Sequence, residues 1–314
     1  MNLPIFQDII QAHELISPYI HCTPVLTSSA INQIVGAELF FKCENFQKTG
    51  AFKFRGACNA VFSLTDEQAA RGVGTHSSGN HAAALALAAR IRGIKAHIVM
   101  PSNSPEIKKK AVAGYGGIIT YCEPTLQARE STLAKIADDT GIEIIHPYNH
   151  AKVISGQGTA AKEFLEAIPS LELVMCPVGG GGLLSGTALS VKTLSPSTKV
   201  MAGEPLGADD AFRSFKAGYI IPSVNPKTIA DGLLTSLGEI NFAIISNHVD
   251  DILTVSEDSI VGAMRLVWER MKIIIEPSSA VPLAAILENK VKFKDLRIGM
   301  ILSGGNIDLG KLPF

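Results

Sequence analysis

The stretch Val178-Gly179-Gly180-Gly181-Gly182-Leu183 passes directly from an apolar segment at residues 173–178 into a helical pattern within residues 181–194. Four glycines let the backbone turn sharply and bring several N–H groups together, and the start of a helix adds positive potential. We therefore predict a phosphate-binding loop, with a plain tight turn as the alternative. Because both the Gly-Lys-Ser/Thr sequence and the dinucleotide fingerprint are missing, a phosphorylated cofactor smaller than a dinucleotide is favoured.

The same order of strand and helix continues on both sides of this loop. Apolar, β-branched segments predict further strands at residues 38–42, 72–76, 95–100, 118–122, 142–146, 199–203, 251–255 and 297–302. Continuous apolar strands joined by helices are typical of parallel sheets that are covered on both faces. The predicted fold class is α/β, with two mostly parallel open sheets packed as two lobes.

Composition excludes several classes of protein. The chain has 314 residues, with 28 Lys and Arg against 29 Asp and Glu, and 18% of its residues are charged. This balance argues against a nucleic-acid partner and against a disordered chain. No apolar stretch approaches the roughly 18 uncharged residues of a membrane span, and the start, Met1-Asn2-Leu3-Pro4, does not resemble a signal peptide. We expect a cytoplasmic protein without a membrane partner.

The number and spacing of the cysteines argue against two further kinds of structural site. The five cysteines are widely spaced and form no Cys-x-x-Cys pair, which argues against a disulfide framework and against a structural zinc site. We expect them to be reduced residues that pack in the interior. They are Cys22, Cys43, Cys58, Cys122 and Cys176.

A second loop places a lysine where a ligand would bind. Thr49-Gly50-Ala51-Phe52-Lys53-Phe54-Arg55-Gly56 follows the predicted strand at residues 38–42, and ligands of open α/β sheets bind where strands end. Between two Phe residues, the Lys53 amine is expected to be desolvated, which lowers its pKa and makes it a nucleophile toward an aldehyde. The alternative is a solvated lysine near a helix start. A phosphate loop together with such a lysine is what pyridoxal phosphate requires.

Two more loops leave predicted strands. Ser77-Ser78-Gly79-Asn80-His81 can hold a carboxylate with hydroxyl groups and backbone amides, or can simply begin a helix. Ser303-Gly304-Gly305-Asn306 ends the last predicted strand, where Ser303 can direct its hydroxyl at a ring nitrogen or form part of an ordinary turn.

Together, these loops resemble the fold-type II pyridoxal-phosphate enzymes, which share a tryptophan synthase β-like architecture. Within them, the chain is similar to the serine racemase and serine/threonine dehydratase family, and most of all to the plant-type and microbial serine racemases. The resemblance extends over nearly the whole chain and includes Ser155-Gly156-Gln157-Gly158-Thr159, Ala230-Asp231-Gly232 and Glu276-Pro277.

The resemblance implies a role for each loop. Lys53 would carry the cofactor covalently and Gly179, Gly180, Gly181 and Gly182 would bind its phosphate. Phe52 would lie against the ring, Asn80 at its 3′-oxygen and Ser303 at the pyridine nitrogen, with Gly232 as a further contact. A neutral serine at that nitrogen leaves the ring less electron-withdrawing. The substrate carboxylate would be bound by Ser77, Ser78, Gly79, Asn80 and His81.

The implied activity is racemisation of serine, with β-elimination of serine and of threonine to a keto acid and ammonia. Racemisation needs proton donors on opposite faces of a planar carbanion, and the resemblance gives these roles to Lys53 and Ser78. A serine/threonine or hydroxyaspartate dehydratase with negligible racemisation is the alternative. A serine triplet associated with aspartate-racemising relatives is missing at Tyr148-Asn149-His150, so serine is favoured over aspartate.

The resemblance also implies accessory ligands. Glu204, the Ala208 carbonyl and Asp210 resemble a divalent-cation loop whose hard oxygen ligands suit Mg²⁺, Ca²⁺ or Mn²⁺. An activating ATP site is suggested by similarity at Ser28, Ser29, Lys48, Thr49, Tyr115 and Asn306. Animal serine racemases have Gly-Gln where this chain has Ala82-Ala83, and that Gln is associated with the ATP site.

Domain organisation is expected to follow the family. A large cofactor-binding domain would comprise residues 1–71 and 149–314, and a small domain that closes over the substrate would comprise residues 72–148. Relatives are commonly dimers, so a homodimer is expected. Because the chain stops at Phe314, we expect no regulatory domain of the kind appended to biosynthetic threonine deaminases.

Overall fold

Two separate sheets organise the computed structural model, which describes residues 3–77 and 79–314. The strands are β1 (Val25–Thr27), β2 (Glu38–Cys43), β3 (Val73–Thr75), β4 (Ala96–Pro101), β5 (Ile118–Cys122), β6 (Glu143–Ile144), β7 (Leu173–Pro177), β8 (Lys199–Pro205), β9 (Asp251–Val255) and β10 (Arg297–Leu302).

The helices lie on both faces of the sheets, as parallel strands require. They are α1 (Phe6–Ile16), α2 (Ser29–Val35), α3 (Lys53–Phe62), α4 (Asp66–Arg71), α5 (Asn80–Arg92), α6 (Glu106–Gly114), α7 (Leu126–Thr140), α8 (Ala151–Ala167), α9 (Gly182–Leu194), α10 (Asp210–Ala217), α11 (Glu239–His248), α12 (Glu257–Met271), α13 (Pro277–Glu288) and α14 (Lys290–Phe293).

The larger sheet has the strand order β1-β2-β10-β7-β8-β9. Only β1 is antiparallel to its neighbour, and the remaining five strands are parallel. Because β2, β10, β7 and β8 are neighbours with the same direction, their carboxyl ends lie along one edge of the sheet. The loops that leave these strands therefore meet at that edge.

The smaller sheet has the order β5-β4-β3-β6, and all of its strands are parallel. It contains every strand between Val73 and Ile144. We propose residues 72–148 as the small domain on this basis. The hydrophobic core is shared across that boundary, because Phe54 and Ala57 of α3 belong to the same buried cluster as Leu85 and Ile98.

A buried network of charges holds the start of α3. The Arg55 guanidinium donates from Nε to Glu44 Oε2 and from Nη1 to Glu163 Oε1, each at 2.7 Å, and Lys42 Nζ donates to Glu163 Oε2 at 2.7 Å. Burial by itself would lower the pKa of Arg55, but the two carboxylates raise it above its usual value. Two positive and two negative groups balance one another, so α3 is tied to β2 and α8 without a net buried charge.

Most of the predicted elements are confirmed within one or two residues. The expected strand at residues 142–146 is shorter, since only Glu143–Ile144 pairs with β3. Helices α1, α2, α4, α10, α11 and α14 and the antiparallel strand β1 are not part of the sequence prediction. Cys43, Cys58 and Cys176 are buried as expected, whereas Cys122 is only partly buried and Cys22 is exposed, so the prediction of interior packing is wrong for Cys22.

In the part of the chain that the structure describes, no helix has the length and apolar character needed to cross a membrane.

Candidate active site

The strand order of the larger sheet brings three of the predicted loops together. The loops that follow β2, β10 and β7 carry Lys53, Ser303 and the four glycines respectively. The first two are also joined by backbone hydrogen bonds: Phe52 N donates to Ser303 O at 3.0 Å, and Gly305 N donates to Gly50 O at 2.9 Å. The position of Lys53 relative to Ser303 is therefore fixed by the backbone.

A cavity of about 310 Å³ lies between the two sheets and holds most of the predicted site. An ion pair between Lys108 of α6 and Asp231 joins the two sides of this cavity. Ser78 lies outside the described residues. The predicted cofactor and substrate residues that line the cavity are Phe52, Lys53, Ser77, Gly79, Asn80, His81, Gly179, Gly180, Gly181, Gly182, Gly232 and Ser303.

Lys53 is the first residue of α3, and its amine is directed at the cavity. Nζ donates a hydrogen bond to Pro147 O at 2.9 Å and lies 5.1 Å from the centre of the Phe52 ring. Burial lowers the pKa of the amine to about 8, although the negative charge of Glu276 acts to raise it. About one tenth of the amine is then neutral at pH 7, far more than for a lysine with the ordinary pKa, and the neutral amine is the form that attacks an aldehyde.

The glycine loop has the geometry of an anion site. Gly181 precedes the first residue of α9 with a φ of 91°, and among the described residues no side chain caps this 13-residue helix. A Cβ at Gly180 would lie 2.4 Å from the Tyr148 ring, so the loop has no room for side chains there. Asn241, in α11, holds the loop in place, because its Nδ2 donates a hydrogen bond to Gly180 O at 2.7 Å. The uncapped N–H groups of this helix fit a phosphate, and with Lys53 they fit a phosphorylated aldehyde.

Asn80 and Glu276 form a polar pair at the wall between the sheets. Glu276 is only 3% exposed, and its two carboxylate oxygens accept from Asn80 Nδ2 at 3.0 and 3.1 Å. Burial and the charge of Asp231 raise the pKa of Glu276 to about 7, while the hydrogen bonds from Asn80 and Asn306 N act in the opposite direction. The Glu276-Pro277 motif marks this position in the sequence, but nothing there predicts its contact with Asn80.

The histidines around the cavity are neutral. Burial, with the nearby His76 and Lys53, lowers the pKa of His146 to about 4, and burial followed by the Lys53 charge lowers that of His81 well below 6.5. His81 Nε2 lies 3.3 Å from the Ile145 carbonyl, to which it must donate. The neutral ring then has no second N–H, so a hydrogen bond from His81 to a substrate carboxylate would have to come from its backbone amide.

Arg129 supplies a cation that sequence reasoning missed. Arg129 lies in α7, the helix that packs against β4 of the smaller sheet. It lines the cavity together with His76, and its buried Nε has no hydrogen-bond partner among the described residues. The sequence gives no signal for it, because it is an arginine within an ordinary amphipathic helix.

The predicted cation loop leaves the carboxyl end of β8. Both carboxylate oxygens of Asp210 are buried without a hydrogen-bond partner in the described residues. Glu204 accepts from Ala211 N at 2.9 Å and Phe212 N at 2.7 Å. Burial raises the pKa of Glu204 to about 9 and that of Asp210 to about 6. Within the described residues, no cluster of three or more His, Cys, Asp or Glu side chains has metal-binding geometry, so this loop offers two carboxylates and a carbonyl.

Only three of the six residues predicted to bind ATP line the same cavity. Thr49, Tyr115 and Asn306 line a second cavity of about 460 Å³ next to the first. Ser28 caps α2 through Ile31 N at 3.4 Å. Lys48 lies 5.9 Å from the centre of the Phe54 ring, and neither it, Ser28 nor Ser29 lines the second cavity.

Comparisons with known proteins agree with this geometry. The model of the pyridoxal-phosphate dependent enzyme family matches residues 16–304. A β-hydroxyaspartate dehydratase of Paracoccus denitrificans is 54% identical over 100% of both chains, and a serine racemase of Dictyostelium discoideum is 52% identical over 98% of this chain and 96% of its own. The structure of maize serine racemase covers 98% of this chain and 95% of its own, with a TM-score of 0.97 and 47% identity.

A lysine with a lowered pKa, a glycine loop at a helix N-terminus and these full-length similarities lead to one conclusion. The chain belongs to the family of pyridoxal-phosphate dependent enzymes.

Proposed function

We propose that the protein is a serine racemase that interconverts L- and D-serine and also eliminates the β-hydroxyl group of serine, and of threonine, to give pyruvate or 2-oxobutanoate and ammonia. The observation that carries the proposal is the Lys53 amine, held at the cavity wall by Pro147 O and with its pKa lowered to about 8. The similarity to serine racemases along almost the entire chain supports the choice of substrate.

Pyridoxal phosphate, when bound, supplies an electron sink that makes the α-proton of the amino acid removable. Lys53 Nζ would take the α-proton on one face, because it is the amine at this wall of the cavity. The N-terminus of α9 and the glycine loop would hold the phosphate group. Phe52 would pack against the ring, with Gly232 and Asn80 as further contacts.

The opposite face requires a second proton donor. We assign this role to the Ser78 hydroxyl from the sequence motif, since its neighbours in sequence, Ser77 and Gly79, both line the cavity. Elimination has no such requirement, because loss of the β-hydroxyl consumes the electron pair without protonation of the α-carbon on the other face.

Replacement of Ser78 by Ala is expected to separate the two activities. D-serine formation from L-serine should fall by at least ~100-fold, the contribution of one general acid or base, whereas pyruvate formation should change only a few-fold. The measurement follows D-serine and pyruvate in one time course in D₂O, with deuterium exchange at the α-carbon of L-serine as the control for Lys53. Racemisation that survives in Ser78→Ala would contradict the assignment.

Arg129 favours a second candidate function. The identity with the Paracoccus β-hydroxyaspartate dehydratase covers the complete chain, and Arg129 offers a guanidinium group to the cavity with an unpaired Nε in the described part of the protein. A second carboxylate on the substrate would pair with this group by charge-assisted hydrogen bonds. We therefore propose β-hydroxyaspartate as the alternative substrate, with dehydration as the reaction.

Arg129→Gln tests this alternative. Loss of a hydrogen bond to a charged group corresponds to a decrease in kcat/KM for β-hydroxyaspartate of about 10- to 100-fold, while kcat/KM for L-serine should change less than about threefold by the same reasoning, since serine has no second carboxylate. Arg129→Lys keeps the charge but not the planar guanidinium group, so its kcat/KM for β-hydroxyaspartate should lie between those of the wild type and Arg129→Gln. Equal losses for both substrates would argue against a carboxylate contact.

We also propose that Glu204, the Ala208 carbonyl and Asp210 bind a divalent cation, Mg²⁺ or alternatively Ca²⁺ or Mn²⁺. The support is Asp210, whose buried carboxylate oxygens lack hydrogen-bond partners among the described residues. A buried carboxyl without a partner is costly, and a cation would offset that cost.

Asp210→Asn should therefore remove the thermal stabilisation that Mg²⁺ confers on the wild type. The matched control is Asp209→Asn, because the neighbouring Asp209 pairs with Arg213 at 2.8 Å instead of facing the loop interior. Melting temperatures with and without MgCl₂ provide the measurement. A rise that persists in Asp210→Asn, or that disappears in Asp209→Asn, would contradict the proposed ligands.

ATP as an activator and assembly as a homodimer in the cytoplasm complete the proposal. The second cavity, which adjoins Asn80 and is lined by Thr49, Tyr115 and Asn306, supports an ATP site. Exposed apolar side chains such as Leu206, Tyr219 and Val224, which are 62%, 63% and 71% exposed, are compatible with a subunit interface.

A further inference from the structure

A buried asparagine lies behind the glycine loop. Asn241, the third residue of α11, is 0% exposed, whereas Gly180 and Gly181 line the cavity. The packing between them is close, because a Cβ at Gly181 would lie 2.8 Å from Asn241 Cβ. The Asn241 side chain therefore contacts the glycine loop from the protein interior.

The orientation of the Asn241 amide follows from its neighbours. Nδ2 lies 2.7 Å from Gly180 O and 3.1 Å from Tyr148 O. Both neighbours are backbone carbonyls, which can only accept hydrogen bonds, and an amide nitrogen has two protons to donate. Each proton is therefore committed to one carbonyl. The flipped amide would place Oδ1 against two other oxygens.

The two carbonyls belong to two different loops at the cavity. Gly180 is in the glycine loop, and Tyr148 follows Pro147, whose carbonyl accepts the hydrogen bond from Lys53 Nζ at 2.9 Å. A single buried amide thus joins the glycine loop to the loop that holds the lysine amine. Because both of its protons are used, the amide cannot turn without the loss of a hydrogen bond.

The Gly180 carbonyl determines the direction of the next N–H group. In a planar trans peptide unit, the C=O and N–H bonds point in opposite directions. Gly180 O accepts from Asn241 Nδ2 and, at 3.2 Å, from Gly238 N, which precedes α11. The N–H of Gly181 therefore points away from α11 and toward the cavity that Gly181 lines.

We propose that Asn241 is a positioning residue that turns the Gly181 N–H toward the phosphate group of pyridoxal phosphate. The inference rests on the proposed binding of that phosphate at the glycine loop. Glycine adopts many backbone conformations, so the loop does not fix this peptide unit by itself. Asn241 acts through the Gly180–Gly181 peptide unit and does not contact the phosphate.

The test compares the dissociation constants of pyridoxal phosphate and of pyridoxal, which lacks the phosphate group, for the full-length apoprotein. The Kd of pyridoxal divided by the Kd of pyridoxal phosphate isolates the contribution of the phosphate. In Asn241→Leu, which has a similar volume but no donor, this ratio should fall about 10-fold or more, the effect of one hydrogen bond to a charged group. A merely structural role would raise both dissociation constants by the same factor and leave the ratio unchanged.

Asn59→Leu is the matched control. Asn59 is also buried, and its Nδ2 donates to a backbone carbonyl, Lys152 O, at 2.7 Å outside the cavity. The ratio in this variant should equal that of the wild type. An unchanged ratio in Asn241→Leu, or an equal fall in Asn59→Leu, would overturn the proposal.

A measurement on the wild type decides the question even if Asn241→Leu fails to fold. In protein labelled with ¹⁵N-glycine, the Gly181 amide proton should move downfield on binding of pyridoxal phosphate and much less on binding of pyridoxal, because a charged acceptor deshields the proton. A Gly181 resonance that responds equally to the two compounds would overturn the proposal.

The affinity of the wild type separates this proposal from the proposed function. Wild-type protein that binds pyridoxal phosphate more tightly than pyridoxal, together with an unchanged ratio in Asn241→Leu, overturns only the role of Asn241. Wild-type protein that binds no pyridoxal phosphate overturns both.

Discussion

The removal of the Lys53 amine from water is the constraint on which the rest of the site depends. Lys53 is the first residue of α3, and two residues later Arg55 ties the same helix to Glu44 and Glu163 in the interior. The charge network thus fixes a helix whose first side chain reaches the cavity. Breaking such a network by removal of one partner typically costs about 3–5 kcal/mol, so the position of Lys53 is strongly determined.

Burial has opposite effects on the pKa values of the basic and the acidic groups at the cavity. Burial lowers the pKa of Lys53 and of His146 and raises that of Glu276. The groups nearest the reacting atoms therefore carry less charge than they would in water. Arg129 offers a planar guanidinium group to the same cavity, and the fit of that group to a carboxylate makes it a strong candidate for recognition of a second carboxylate.

Much of the fold could be predicted from sequence because parallel strands and their helices are local patterns. The loop glycines and Lys53 also stand out, since a strand-to-helix junction has to place them at the sheet edge. The contacts that tune the site could not be predicted. Asn80 and Glu276 are 196 residues apart in the chain, and no local spacing brings such a pair together.

The proposed division into two domains could also be drawn only in part from sequence. Residues 72–148 contain all strands of the smaller sheet, yet α3, which precedes them, contributes Phe54 and Ala57 to the core that they share. Sequence order separates these elements, and only the tertiary packing joins them.

The most direct measurement is the rate at which the apoprotein forms a covalent bond with pyridoxal phosphate as a function of pH, followed by borohydride reduction and peptide mapping. Because only the neutral amine reacts, a lowered pKa moves the rise in rate to lower pH. The expected result is a rate that rises through about pH 8 and then levels off, with the label on Lys53. A rate that continues to rise to pH 10, or a label on another lysine, would contradict the assignment of Lys53 as a desolvated nucleophile.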